Sequence, residues 1–237
     1  MLTKQKNLQL LTDRVSKLSL ESKIVVAFDF DELVVPIHLT STISNQISKP
    51  IDSKKLSRLG SCSFEGIMYL QSLQIGYNYE KYCKIRDTIC KQTEWREGFM
   101  NLLLQLIKSY SVVFISSGFK DICETKLKEI NFDKNNIIGC ERKVDSGKIS
   151  ATSLIVTDQL KGTIIREIQK NHKVIAVGHS IGDKYMLDNA DISISFQSDT
   201  PDLATHKVNS AYEILHIILN HSVKITGEEK SKLKNGN

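Results

Sequence analysis

The chain has 237 residues, enough for one sizeable core with an insertion or for two small domains. Hydrophobic residues make up 41% and charged residues 25%, as in ordinary globular proteins, and the net charge of +5 comes from scattered lysines without interleaved aromatics, which argues against nucleic acid as a partner. The five cysteines (Cys62, Cys83, Cys90, Cys123, Cys140) form no C-x-x-C pair, so a disulfide framework or zinc site is not expected and a reducing cytoplasm fits best.

No run approaches the ~18 apolar residues of a membrane span, so no membrane partner is expected. The first twenty residues carry lysines throughout and read as an amphipathic helix, with Leu8, Leu11, Val15 and Leu18 at helical spacing. Next comes "IVVAF" (24–28), a short continuous apolar run. "SVVFIS" (111–116), "KVIAVG" (173–178) and "DISISF" (191–196) have the same character. Strands buried on both faces of a parallel sheet read this way. Helical patterns lie between them at 94–110, 119–130 and 157–171, and another follows at 211–220. The alternation predicts an α/β fold with a doubly wound parallel sheet.

Two stretches break the alternation. Residues 36–92 are too long for a loop and turn helical at "SFEGIMYLQSLQ" and "NYEKYCKIRDTIC", so they read as a small helical cap inserted after the first core strand. Residues 134–156 read as a β-hairpin turning at Asp145-Ser146-Gly147. The expected organisation is a core of 1–35 and 93–225, a cap of 36–92, and a flexible basic tail of 226–237.

The chemistry-bearing residues gather at strand ends, where ligands collect in such sheets. The first strand runs into Asp29-Phe30-Asp31, the second ends in Ser116-Ser117-Gly118, and the third ends in Gly178-His179-Ser180-Ile181-Gly182-Asp183. Lys161 lies in the helix before the third strand. Alone, a D-x-D, a Ser-Ser-Gly turn or a helical lysine is ordinary. Together and in this order they point to a phosphate and cation site, because two adjacent carboxylates at a buried strand end need a partner.

In order and spacing, "VVAFDFDELVV", "VVFISSGF", the Lys161-Gly162 pair and "VIAVGHSIGDKYMLDNADISISF" resemble the motifs of the haloacid-dehalogenase superfamily, in its phosphoserine-phosphatase-like branch. The resemblance covers about residues 23–200. It implies a haloacid-dehalogenase-like core and a metal-dependent phosphomonoester hydrolase that acts on a small phosphorylated metabolite. By the resemblance, Asp29 is the nucleophile that forms an aspartyl-phosphate, and Asp31 is the general acid and then the general base. Ser116 and Ser117 hold phosphate and Lys161 neutralises charge. A divalent metal, magnesium by the resemblance, is bound by Asp29, the backbone carbonyl of Asp31, and the fourth motif with Asp183.

Three positions depart from the family pattern. His179 stands where the fourth motif has its first acid, and an imidazole ligand suits manganese or another transition metal better than magnesium. Leu33 follows the D-x-D where the family has Thr or Val. His38 stands where phosphoserine phosphatases hold the substrate with an acid, and "FEGIMYLQSLQIG" lacks their cap arginine, so His38 is expected to take part in substrate selection. The alternatives are a catalytically weak binding or regulatory protein with this fold and, more remotely, a glycosyltransferase that uses the D-x-D for a metal–nucleotide complex. The sequence leaves the oligomeric state open.

Overall fold

A computed structural model of the chain describes residues 2–60, 63–200 and 202–234, with side chains described through residue 222. The elements in chain order are α1 (Lys4–Val15), β1 (Ile24–Phe28), α2 (Leu39–Ile47), α3 (Ser53–Leu59), α4 (Phe64–Ser72), α5 (Tyr79–Gln92), α6 (Phe99–Leu106) and β2 (Ser111–Phe119). There follow α7 (Lys120–Leu127), β3 (Ile137–Asp145), β4 (Lys148–Leu154), α8 (Asp158–Gln169), β5 (Lys173–Gly178), α9 (Lys184–Asn189), β6 (Ile192–Phe196), β7 (His206–Val208) and α10 (Ala211–Lys234).

The sheet runs β4-β3-β2-β1-β5-β6-β7. All pairs are parallel except β3–β4, the expected hairpin, which turns through Ser146 and Gly147, both at positive φ. The apolar runs explain the centre: β1 is buried along its whole length between β2 and β5, with Val26 opposite Val112 and Ile175. Its carboxyl end, and those of β2 and β5, therefore open on one edge of the sheet, and the candidate residues project from that edge.

Several elements depart from the sequence reading. The helix expected at 94–110 begins only at Phe99, because Gly98 takes a left-handed conformation (φ 77°) and the preceding residues form a turn. The short edge strand β7 was not expected. Helix α10 continues to Lys234, so residues 226–234 are helical where a flexible tail was expected, and 235–237 lie outside the described residues. In α1, Leu8 is exposed while Asn7 is buried. Its side-chain amide donates to the Ile155 carbonyl and its oxygen accepts from the Ile155 N–H, both at 2.8 Å, which fastens the helix to the chain after β4.

The described residues of segment 36–92 form helices α2 to α5, with α2 packed on α5 and α3 on α4. The β3–β4 hairpin reaches this segment. Gly76 N–H donates to Ile149 O, Tyr79 N–H to Gly147 O and Ile149 N–H to Tyr77 O, at 2.8 to 3.0 Å.

Candidate active site

Asp29 follows β1 directly, its N–H donating to Val177 O of β5 at 3.0 Å. Asp31 lies two residues on, and both carboxylates are buried. The chain then turns through Glu32, which adopts a left-handed conformation (φ 59°). Arg96 holds that turn: its side chain donates to the carbonyls of Glu32 (2.6 Å) and Leu33 (3.1 Å), and its backbone N–H donates to Val34 O at 2.9 Å. The sequence reading gave Arg96 no role. An arginine ahead of an apolar helix carries no signal of the loop it will meet.

Lys161 projects from α8 into the same space. Its ammonium donates to Asp29 Oδ1 and to Asp183 Oδ1, each at 2.7 Å, and all three groups are buried. Burial works against the lysine's charge, but the two carboxylates outweigh it and hold its pKa well above the usual value. Burial likewise opposes the Asp183 carboxylate, yet Lys161 and His179 keep it well below the usual range. Asp183 Oδ2 also accepts from the backbone N–H groups of His179 (2.9 Å) and Ser180 (3.2 Å), so both oxygens are engaged. The loop that carries them needs Gly178, where a Cβ would lie 2.6 Å from Asp183 Cβ.

His179 projects between the acids, with Nδ1 3.4 Å from Asp29 Oδ2 and 3.5 Å from Asp183 Oδ2, and its Nε2 faces Glu32 at 3.6 Å. Burial lowers its proton affinity, but the nearby Asp183 and Asp29 carboxylates outweigh this and push the pKa up to about 10. Asp31 shows the opposite balance. Burial raises its pKa, His38 and Thr40 work against the rise, and Asp29 adds to it. Thr40 N–H donates to Asp31 Oδ1 at 3.3 Å, while Oδ2 is buried without a hydrogen-bond partner.

His38 caps α2 and is half-exposed, its Nδ1 3.3 Å from both Ser41 N and Asp31 Oδ2. A nitrogen that accepts from Ser41 cannot also donate to Asp31, which accounts for the orphaned Oδ2. At the end of β2, Ser116 Oγ accepts from Gly118 N–H at 2.9 Å, and Ser117 Oγ is buried and unpartnered. A Cβ on Gly118 would collide with Thr40 Oγ1 and lie 2.8 Å from Asp31 Oδ2, so glycine lets β2 and α2 approach the acids.

Asp29, His179 and Asp183 each offer one ligand atom within 4.8 Å of the others. The donors suit a divalent cation of intermediate softness, and His179 Nδ1, buried without a hydrogen-bond partner, is an atom such a cation would satisfy. A proton competes for that nitrogen. Asp29, Asp31, Ser116, Ser117, Lys161 and His179 line one pocket of about 410 Å³, and Asp183 lies directly behind Lys161. The pocket's other wall is the 36–92 segment.

No protein-family model matches the chain. It is 22% identical over 192 residues to a phosphoserine phosphatase of Archaeoglobus fulgidus, a match covering 74% of this chain and 53% of that protein, so the chain spans about half the length of the curated relative it matches. Among solved structures it is similar to a haloacid-dehalogenase family hydrolase of Salmonella enterica serovar Typhi, at a TM-score of 0.63 and 16% identity over 80% of this chain and 68% of that one. A substrate-bound phosphoserine phosphatase superposes with a TM-score of 0.65 at 20% identity, over 83% of this chain and 99% of that one. The chain has the haloacid-dehalogenase fold. The fold is likewise similar to that of a phosphoserine phosphohydrolase-like protein of Francisella tularensis, with a TM-score of 0.62 at 16% identity over 81% of this chain and 98% of that one. Among the described residues, no helix is long and apolar enough to cross a membrane.

Proposed function

We propose that the protein is a phosphomonoester hydrolase acting through an aspartyl-phosphate on a small phosphorylated metabolite. One observation carries the reading: two buried carboxyl groups two residues apart sit in one pocket in different surroundings, Asp29 at 2.7 Å from the Lys161 ammonium and Asp31 where burial raises its pKa. An acid held against a cation beside one whose proton affinity is raised by burial suits the roles of nucleophile and general acid.

In this reading an Asp29 oxygen attacks phosphorus, the bond from phosphorus to the ester oxygen breaks, and the Asp31 carboxyl gives its proton to the departing alcohol. Asp31, now a carboxylate, takes a proton from water as that water attacks phosphorus, and the bond from phosphorus to Asp29 breaks. Lys161 holds Asp29 in place and keeps positive charge beside the phosphoryl oxygens. Ser116 and Ser117 face the same space and supply hydroxyl groups to those oxygens. A divalent cation held by Asp29, the Asp31 backbone carbonyl, His179 and the Asp183 loop would neutralise the dianion and fix its orientation. The imidazole favours manganese or another transition metal over magnesium. The site's opening toward α2 makes His38 a candidate for substrate selection.

The relatives named phosphoserine phosphatase support the reaction class. A second reading, a binding protein with little turnover, draws on His179, which stands with Lys161 among the carboxylates. Hydrolysis of p-nitrophenyl phosphate across a panel of divalent metals separates the two. The hydrolase reading expects metal-stimulated turnover that Asp29→Asn abolishes. An Asp29→Asn variant that keeps a tenth or more of wild-type turnover overturns the nucleophile, and a wild type inactive with every metal and ester favours the binding protein.

A further inference from the structure

The half of the pocket that faces away from the acids has a different chemistry. It is lined by residues of the 41–74 segment, and among the described residues none of these is ionisable. Ile51, Leu56, Ile67 and Leu70 give it an apolar body, and Ser44 and Asn45 give it neutral polar edges. Lys161 is the one lysine or arginine among the described lining residues, and Asp29 and Asp183 occupy it at 2.7 Å each.

The arginine that comes up behind this wall is occupied too. Arg142 donates to Gln74 Oε1 (3.0 Å), the Tyr82 hydroxyl (2.6 Å) and Asp121 Oδ1 (2.8 Å), and Gln74 stands between it and the pocket. Against these 41–74 residues a carboxylate would lose its water and meet no cation, and an ammonium would meet no anion; either burial is strongly unfavourable.

Among these 41–74 lining residues, one group lacks a partner. Gln71 is only 6% exposed, and its Oε1 is fully buried with no hydrogen-bond partner. An unmet buried acceptor costs free energy, and a ligand that donates to it recovers that cost, so such a group selects ligands that carry a donor.

We infer that the alcohol released here is uncharged: the pocket fits a phosphomonoester of a small neutral alcohol with an apolar body and a hydroxyl or amide N–H that donates to Gln71 Oε1. The inference rests on the phosphomonoesterase reading for the placement of the phosphate, and it excludes amino-acid and carboxylic-acid phosphoesters as preferred ligands.

The test uses stable phosphonates, so that binding can be read without turnover. Calorimetry on the full chain with manganese present compares 3-hydroxypropylphosphonate, propylphosphonate, 3-phosphonopropionate and 3-aminopropylphosphonate. The hydroxyl ligand should bind at least about tenfold more tightly than either charged one. Gln71→Leu should reduce its advantage over propylphosphonate by about tenfold. Asn45→Arg, a change at an exposed lining position, should raise affinity for 3-phosphonopropionate and so recover a signal even if Gln71→Leu folds poorly. A charged ligand that binds as tightly as the hydroxyl one overturns the inference, as does failure of every phosphonate to bind. Hydrolysis of p-nitrophenyl phosphate, measured alongside, separates the two claims. Turnover with a reversed ranking removes the neutral-alcohol inference and leaves the phosphatase standing. The expected ranking without any turnover does the opposite.

Discussion

At Asp31 the fold has left a carboxylate where burial disfavours its charge and one oxygen has no hydrogen bond. Because the folded state raises this pKa, the group binds its proton more tightly folded than unfolded. The resulting instability is present above the folded value and vanishes below the ordinary carboxylate range near ~3.9. Asp31→Asn should therefore raise the melting temperature at pH 7.5, and the gain should fade as the pH drops toward 4. A gain of about 1 kcal/mol would read as roughly 2–4 °C in a chain this long. A variant that melts lower than wild type at pH 7.5 would show that the carboxylate is satisfied as an anion. Lys161 is the reverse case, since its ammonium holds Asp29 and Asp183 together. Lys161→Met leaves two buried carboxylates facing each other and should cost roughly 3–5 kcal/mol, as other broken buried pairs do. Adding Asp29→Asn should recover part of the loss, and chemical denaturation of the single and double variants measures the coupling. At His179 the expected effect is on metal choice. His179→Asp restores an all-oxygen set and should shift the ratio of magnesium- to manganese-supported turnover toward magnesium.

The elements that aim these residues are of two kinds. The strands carry the acids and serines by their own apolar patterns, and those patterns were legible: β1, β2, β5 and β6 lie where the continuous runs placed them, within a few residues. The D-x-D and the Gly178–Asp183 loop were legible for the same reason, because a strand end fixes where its next residues point; Ser116, Ser117 and Gly118 lie within β2 where a turn was expected, and Lys161 reaches the site from α8. What holds the loops was not. Arg96 clamps the turn after Asp31 from a position more than sixty residues away in sequence, and no local pattern announces such a pairing. Asn7 is a polar residue of α1, yet it is buried against Ile155. The three residues of β7 are too few to show a period. Arg96→Leu tests the clamp. It frees the Glu32 and Leu33 carbonyls and lets a left-handed residue relax, so turnover should fall by tenfold or more with a smaller change in KM. Arg96→Lys should recover little, because a single ammonium cannot reproduce the forked donation. Equal activity in Arg96→Leu and wild type would show that the turn holds its shape unaided.

Across the molecule the site has two walls that come from different parts of the chain. The sheet edge supplies the charged wall, and α2, α4 and the loops around them supply the neutral one. The two are fastened behind the pocket by Tyr82 of α5 donating to Asp121 of α7 at 2.6 Å, by Arg142 of β3 bonding to both, and by the hairpin's hydrogen bonds to the 76–79 loop. With the back fastened, the freedom left to the cap lies at its front, where α2 and α3 border the pocket and α3 buries no residue. A ligand that bridges the two walls should therefore tighten the front and leave the back as it was. Phosphate alone touches the charged wall, whereas a hydroxyalkyl phosphonate reaches both. With manganese present, each ligand at a hundred times its dissociation constant should stabilise the fold by about 2.7 kcal/mol, because that number depends on saturation and not on which wall is touched. Hydrogen exchange distinguishes them. Phosphate should slow exchange in the loops after β1, β2 and β5, and the phosphonate should add protection in α2 and α4. Protection that spreads equally to the cap with phosphate alone would mean that the cap closes in response to charge at the core, without needing contact from the ligand.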